Sequence, residues 1–218
     1  RDWSGTLWAT ARCRATAADP VLEAVAEAVT AAGAPWSFGD DAQPSDAARC
    51  LWAAATLRCS HKGLIHGAVA MARPLLQDCS PRDLSNIAWA SAVLHCGQDG
   101  WVEDVAKTFS GHEAIHGVAP QAVANVLWSL AKVREENTNV GSEELLASSR
   151  RRAPPEGPAL PGLTAAAVAS LPGASAQNVS NMLWACAKLA LRERQLLEAA
   201  GGRMIALLPE AEPQHVAM

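Results

Sequence analysis

The sequence predicts an all-α fold, an α-solenoid of stacked two-helix repeats of about 37–44 residues each. The first observation is a recurring motif: residues 120–133 have the sequence PQAVANVLWSLAKV, and residues 176–189 have AQNVSNMLWACAKL. A third copy lies at 81–94 and a looser one at 44–57. The second observation is helical periodicity within each copy. The third is that no stretch alternates apolar and polar residues long enough to predict a strand.

The motif has the period of an amphipathic helix with a wide buried face. Counted from the motif tryptophan, offsets −5, −2, −1, 0, +2, +3 and +5 form one arc, and nearly all are apolar. Offsets −7, −6, −3, +1 and +4 fill the opposite arc, which the pattern leaves exposed. A proline at offset −8, preceded by Ser80 in the copy that starts at Pro81, marks the first helical position. The tryptophans are Trp8, Trp52, Trp89, Trp128 and Trp184.

The whole chain, 1–218, is predicted to be a single solenoid fragment. The motif helices are predicted near 1–14, 44–57, 81–94, 120–133 and 176–189, with a partial repeat from 213. A second helix of each repeat is predicted at 20–32, 63–76, 101–109, 163–171 and 193–208. Because the first and last copies are incomplete, we expect the chain to be a piece of a longer array.

An insertion or linker is predicted at 134–162, because the spacing between motif tryptophans lengthens there. It contains acidic residues, including Glu135 and Glu136, then three arginines at 150–152 and a run rich in proline and glycine. That composition favours a partly disordered loop, with a short extra helix near 143–149.

The composition argues for tightly packed helices in a reducing compartment. Half of the residues are hydrophobic, and the formal net charge of −4 is a mild argument against a strongly basic surface, although the sum does not say which face carries which sign. The six cysteines show no paired spacing and are predicted to be reduced core residues. No apolar run is long enough to predict a membrane span.

One short motif suggests metal chemistry, but its context does not. His112 and His116 complete an H-E-x-x-H pattern, which binds zinc when both histidines share a helix face. Gly111, Gly117 and Pro120 leave no room for such a helix. The segment is therefore predicted to be an inter-repeat loop, and the chain is predicted to have no catalytic residues, no metal and no cofactor.

The candidate binding surface is the set of residues at offsets −7, −3 and +4, which we call the polar stripe. In the clearest copies these offsets hold an amide, an amide and a cation. Amides can pair with base edges and lysine with phosphate, which is how some helical repeats bind RNA. An alternative is that the asparagine at −3 caps or bridges the backbone of the next hairpin. The candidate residues are Arg82, Asn86, Gln121, Asn125, Lys132, Gln177, Asn181 and Lys188.

The recurring Asn-x-Leu-Trp frame resembles the consensus of octotricopeptide repeats. It is equally similar to heptatricopeptide repeats of organellar proteins and to helical-repeat subunits of RNA-editing substrate-binding complexes. The resemblance implies an α-solenoid that binds organellar RNA in its processing, stability, translation or editing, in a mitochondrion or chloroplast. Arg49 in place of the asparagine and Val93 in place of the lysine depart from that pattern.

Two functions follow as hypotheses. The first is a non-catalytic segment that binds single-stranded RNA, together with other proteins of an RNA-processing complex and no membrane. The second is a protein–protein interaction scaffold, since solenoids bind proteins on their concave faces as well.

Overall fold

A computed structural model describes residues 3–12, 43–97, 99–139 and 159–208. These residues form α-helices and short 3-10 turns with no strand among them, so the all-α prediction is confirmed. None of these helices is both long and apolar enough to cross a bilayer. The helices are α1 (Trp3–Arg12), α2 (Pro44–Thr56), α3 (Lys62–Leu75), α4 (Pro81–Val93), α5 (Trp101–Ser110), α6 (Pro120–Asn139), α7 (Ala159–Ser170), α8 (Ala176–Leu189) and α9 (Arg194–Leu207).

The chain divides into two compact units, Arg1–Asp99 and Gly100–Met218. In the first unit, the motif helix α2 packs against α1 and α4, and α3 packs against α2. Leu51, Leu64 and Leu84 are fully buried in this unit. The three motif helices of the unit therefore lie side by side in chain order.

The second unit has two layers. The motif helices α6 and α8 pack against each other, while α5, α7 and α9 pack in sequence behind them. The core of this unit includes four residues that are at most 1% exposed: Leu127, Leu163, Met182 and Leu196. Alternate helices therefore form the front and the back of the unit.

The starts of the motif helices follow from local sequence. The Ser80 hydroxyl accepts a hydrogen bond from the Asp83 amide (3.2 Å) at the start of α4. Ser175 accepts one from the Asn178 amide (3.3 Å) at the start of α8. Each bond satisfies an amide that has no partner inside the helix.

Three motif helices end in the same left-handed backbone geometry, which the sequence does not predict. The residue at offset +6 is left-handed in each copy: Arg58 (φ 54°), His95 (φ 54°) and Ala190 (φ 56°). In each, the next amide reaches back across the last turn, as in the bond from the Cys59 amide to the Ala54 carbonyl (2.9 Å). This is the Schellman arrangement, usually made by glycine. Its recurrence at one offset supports the structural equivalence of these copies.

The linker boundaries predicted at 134 and 162 differ from the structure. Helix α6 continues through 134–139, and α7 begins at Ala159 instead of 163. Gly162, which the composition assigns to the loop, lies in the first turn of α7. A Cβ there would be only 3.1 Å from Ser110, so glycine permits close packing of α7 on α5. The helices predicted near 20–32 and 143–149, the arginines at 150–152 and the partial repeat from 213 lie outside the described residues.

The prediction that offset +1 is exposed is wrong for most copies. Ala53, Ala90 and Ala185 are fully buried, whereas Ala9 is exposed. Ser129 at this offset of α6 is fully buried as well. Offset +1 therefore lies within the packed surface in four of the five copies.

Candidate nucleic-acid interface

The polar stripe of the second unit lies on two adjacent helices. Gln121, Gln177 and Lys188 are exposed, while Asn125 and Asn181 are half-buried. Gln177 Nε2 donates a hydrogen bond to the side-chain Oδ1 of Asn181 (2.8 Å), so these two side-chain amides already interact with each other. The structure thus brings the stripe residues of α6 and α8 onto neighbouring positions of one packed pair.

The tryptophans of the two copies meet beside this stripe. The ring centroids of Trp128 and Trp184 are 6.3 Å apart, with the planes tilted by 30°. Both side chains are half-buried. Trp128 meets Trp184 at offset 0, and Arg134 at offset +6 meets Leu189 at offset +5. Because the two contacts follow each other in the same order along both helices, α6 and α8 run parallel and nearly in register. Each indole lies between the buried and the polar arcs of its helix, and an aromatic face there could stack on a base.

The two stripe lysines share one carboxylate. Lys188 Nζ lies 2.5 Å from Glu135 Oε1, and Lys132 Nζ lies 3.3 Å from Glu135 Oε2. Glu136 Oε1 lies 3.8 Å from Lys132 Nζ. The hydrogen bond from Lys188 lowers the pKa of Glu135, and Lys132 adds to the effect, although partial burial opposes it. The lysines are therefore together, but their charge is balanced within the protein.

Glu135 and Arg134 are the residues of this surface that the motif analysis did not select. Arg134 Nη1 donates to the Leu189 carbonyl oxygen (3.4 Å), one of the carbonyls left without a helical partner at the end of α8. Both residues lie in the extension of α6, which the composition assigns to the linker. The missed signal is that 134–136 contains only good helix formers, Arg and two Glu, directly after a helix.

In the first unit the stripe is less regular. Arg82 is exposed and Asn86 is half-buried. On α2, Arg49 occupies the asparagine position and pairs with Asp46 (3.2 Å), while Thr56 at offset +4 donates to the Trp52 carbonyl (2.8 Å). Both motif helices α6 and α8 of the second unit therefore have an amide, an amide and a cation at the three stripe offsets. The motif helices of the first unit have this pattern only in part.

A cation lies over the motif tryptophan in the first and in the last motif helix that the structure describes. Arg12 Cζ lies 5.8 Å from the Trp8 ring centroid, and Lys188 Nζ lies 5.6 Å from the Trp184 centroid. Both cations are at offset +4. Such contacts are cation–π interactions, which fix a positive charge next to an aromatic surface.

The structure gives the H-E-x-x-H segment a geometry unlike that of a zinc helix. Glu113–Gly117 forms a 3-10 turn, whereas the motif requires an α-helix. Within the described ranges, no group of three or more His, Cys, Asp or Glu side chains could hold a metal ion.

The cysteines of the described ranges form no disulfide, and all except Cys96 are buried. Burial raises the pKa of the Cys186 thiol to about 11. For Cys79, burial and the nearby Asp83 and Asp78 carboxylates raise the pKa to about 12. Thiols of this kind are protonated at neutral pH and are poor nucleophiles.

A scan against protein-family models and a search of curated proteins both found no match for this chain.

Proposed function

We propose that this chain is a stretch of an α-solenoid of octotricopeptide-like repeats that binds single-stranded RNA along the polar stripe, without catalysis. The side-by-side packing of motif helices within each unit supports the solenoid, because each two-helix repeat then buries its apolar face against the next. The resemblance supports an organellar site of action, in a mitochondrion or chloroplast, which localisation of the full-length protein would test.

The chemistry of the stripe suits an extended polyanion with stacked bases. Gln121 and Gln177 are exposed amides that can exchange hydrogen bonds with base edges. Lys132 and Lys188 provide cations for successive phosphates, and Trp128 and Trp184 provide aromatic surface. One repeat then supplies one set of contacts to each nucleotide.

The observation that carries this proposal is the parallel, in-register pairing of α6 and α8. The 6.3 Å contact between Trp128 and Trp184 places equivalent polar residues on adjacent helices. A repeated ligand can use such a repeated surface, because each of its units meets the same set of groups.

The test is an RNA-binding comparison of two variants with matched charge. In the stripe variant, Asn125, Asn181, Lys132 and Lys188 are replaced by alanine. In the control, Lys107, Arg194 and Gln195, which are exposed on α5 and α9, are replaced by alanine, so both variants lose two positive charges. We expect the stripe variant to keep its circular dichroism spectrum and lose at least about tenfold in affinity, as two phosphate contacts are removed. Equal affinity of the two variants would exclude the stripe as the site.

The second candidate function is a protein-interaction scaffold, and the Glu135 bridge favours it. A stripe in which Lys132 and Lys188 already hold a carboxylate presents little net positive charge. Filter binding over a salt series separates the two functions. Binding of a protein to RNA releases counterions from the phosphates, so RNA binding weakens as the salt concentration rises. A protein scaffold retains no RNA at any salt concentration.

A further inference from the structure

The position of Glu135 has a consequence for how the stripe would meet its ligand. Glu135 is at offset +7 of one motif helix, and its two carboxylate oxygens bridge cations at offset +4 of that helix and of the next. A phosphate between two successive nucleotides would have to occupy the same place, since it too must meet the cations of adjacent repeats.

The contacts around this carboxylate show that the bridge can be exchanged. The side chains of Lys188 and Lys132 are 42% and 32% exposed, and that of Glu135 is 25% exposed. Ion pairs of such exposure are weak and screened by salt. A phosphodiester oxygen is therefore able to replace the carboxylate without unfolding either helix.

We propose that Glu135 is an internal stand-in for RNA phosphate, which occupies the inter-repeat cation pair of Lys132 and Lys188 and is displaced when single-stranded RNA binds. This inference rests on the proposed function, because it specifies how the same stripe is occupied before RNA arrives. Glu135 thereby lowers the affinity for RNA, and a ligand needs more contacts with the stripe to displace the carboxylate. Short or poorly matched anions are excluded, because one weak contact does not displace the bridge.

The geometry separates this role from that of a purely structural clamp. The connection between α6 and α8 also includes the bond from Arg134 to the Leu189 carbonyl and the contact between Trp128 and Trp184. Both remain when the Glu135 charge is removed. We therefore expect Glu135→Gln to keep the two helices paired.

The experiment measures the affinity of the whole chain for a random-sequence pool of single-stranded RNAs that are long enough to contact both α6 and α8. Glu135→Gln is compared with the wild type and with Glu198→Gln, which removes the same charge from the exposed helix α9, where Glu198 pairs with Arg194. We expect Glu135→Gln to bind about 3- to 10-fold more tightly than the wild type, the effect of freeing two exposed ion pairs. Glu198→Gln changes the net charge equally and should bind like the wild type.

A second arm ties the effect to the two lysines. In a Lys132→Met, Lys188→Met background, Glu135→Gln should leave the affinity unchanged, since no cation pair remains to be released. A thermal unfolding curve for each variant checks that the fold is retained.

The outcomes are distinct. Equal or weaker binding by Glu135→Gln, with the wild type binding RNA, overturns this inference and leaves the proposed function standing. An equal gain in Glu198→Gln also overturns it, because bulk charge would then explain the effect. No RNA binding by any variant overturns the proposed function and this inference together.

Discussion

Trp128 and Trp184 are 56 residues apart in the sequence, yet their ring centroids lie 6.3 Å apart. They occupy the same offset of two copies of one motif. The residues between them include a third helix, α7, which packs behind the pair against α6 and α9. The contact is therefore a product of the repeat, in which equivalent side chains of successive motif helices become neighbours.

The tryptophan contact gives a prediction about coupling. We expect Trp128→Leu and Trp184→Leu each to lower the free energy of unfolding, with a coupling energy between them of about 0.5–1.5 kcal/mol, as for other aromatic pairs. Urea unfolding of the two single variants and the double variant measures it. As a control, Trp128→Leu combined with Trp52→Leu, which lies in the other unit, should be additive. Additivity in the 128/184 pair would contradict an energetic contact between the rings.

The left-handed residue at the end of α8 predicts that the same substitution, Ala to Gly, changes stability in opposite directions at two nearby positions. Ala190 has φ 56°, a region that glycine enters without steric cost, so Ala190→Gly should stabilise the protein by about 0.5–1 kcal/mol. Ala187 is exposed inside the same helix, and Ala187→Gly should destabilise by about 1 kcal/mol. Urea midpoints report both. Destabilisation by both substitutions would contradict the left-handed conformation at Ala190.

The small residue at offset +1 gives a prediction about close packing. Ala53 is fully buried on α2, so Ala53→Leu should destabilise by about 1–3 kcal/mol through overpacking. Ala9 occupies the same offset on α1 but is exposed, so Ala9→Leu should change stability by no more than about 0.5 kcal/mol. Equal effects at both sites in thermal or urea unfolding would show that offset +1 is not a helix-packing position.

The Glu135 bridge gives a prediction about pH. Lys188, and after it Lys132, lower the pKa of Glu135 in the folded chain. A carboxylate whose folded pKa is depressed stabilises the fold above its unfolded pKa, about 4.3 for Glu, and this contribution is lost as pH falls through the folded pKa. We expect the wild type to exceed Glu135→Gln in free energy of unfolding at neutral pH, by at most about 1 kcal/mol, and the difference to close in acid.

That pH dependence is measured by urea unfolding of both proteins across the acidic range. Glu198→Gln serves as the control, because the Arg194–Glu198 pair is far more exposed. A difference between the wild type and Glu135→Gln that grows as the pH falls would contradict the bridge.

The sequence is sufficient for the parts of the fold that depend on local chemistry. Ser80 and Pro81 mark the start of α4, and the phase of the apolar residues around Trp89 gives its buried face. The tryptophan spacing identifies which helices are equivalent. These features are carried by residues within a few turns of each other, so a single sequence is enough to recognise them.

The features that the sequence does not reveal depend on distant partners. Arg134 and Glu135 are good helix formers, but their partners Leu189 and Lys188 lie more than 50 residues further along the chain, so no nearby residue indicates these contacts. Ala190 has no local mark of a left-handed residue, because the Schellman bonds impose its conformation. The burial of Ala185 likewise depends on which helix lies beside it.

Ultraviolet crosslinking of bound single-stranded RNA, followed by mass spectrometry of the crosslinked peptides, is the most direct test of RNA binding along the polar stripe. The stripe predicts crosslinks in the peptides that contain Trp128 and Lys132 on α6 and Trp184 and Lys188 on α8, and stronger crosslinking in Glu135→Gln. Crosslinks confined to α5, α7 and α9, or none at all under conditions where the fold is intact, would contradict it.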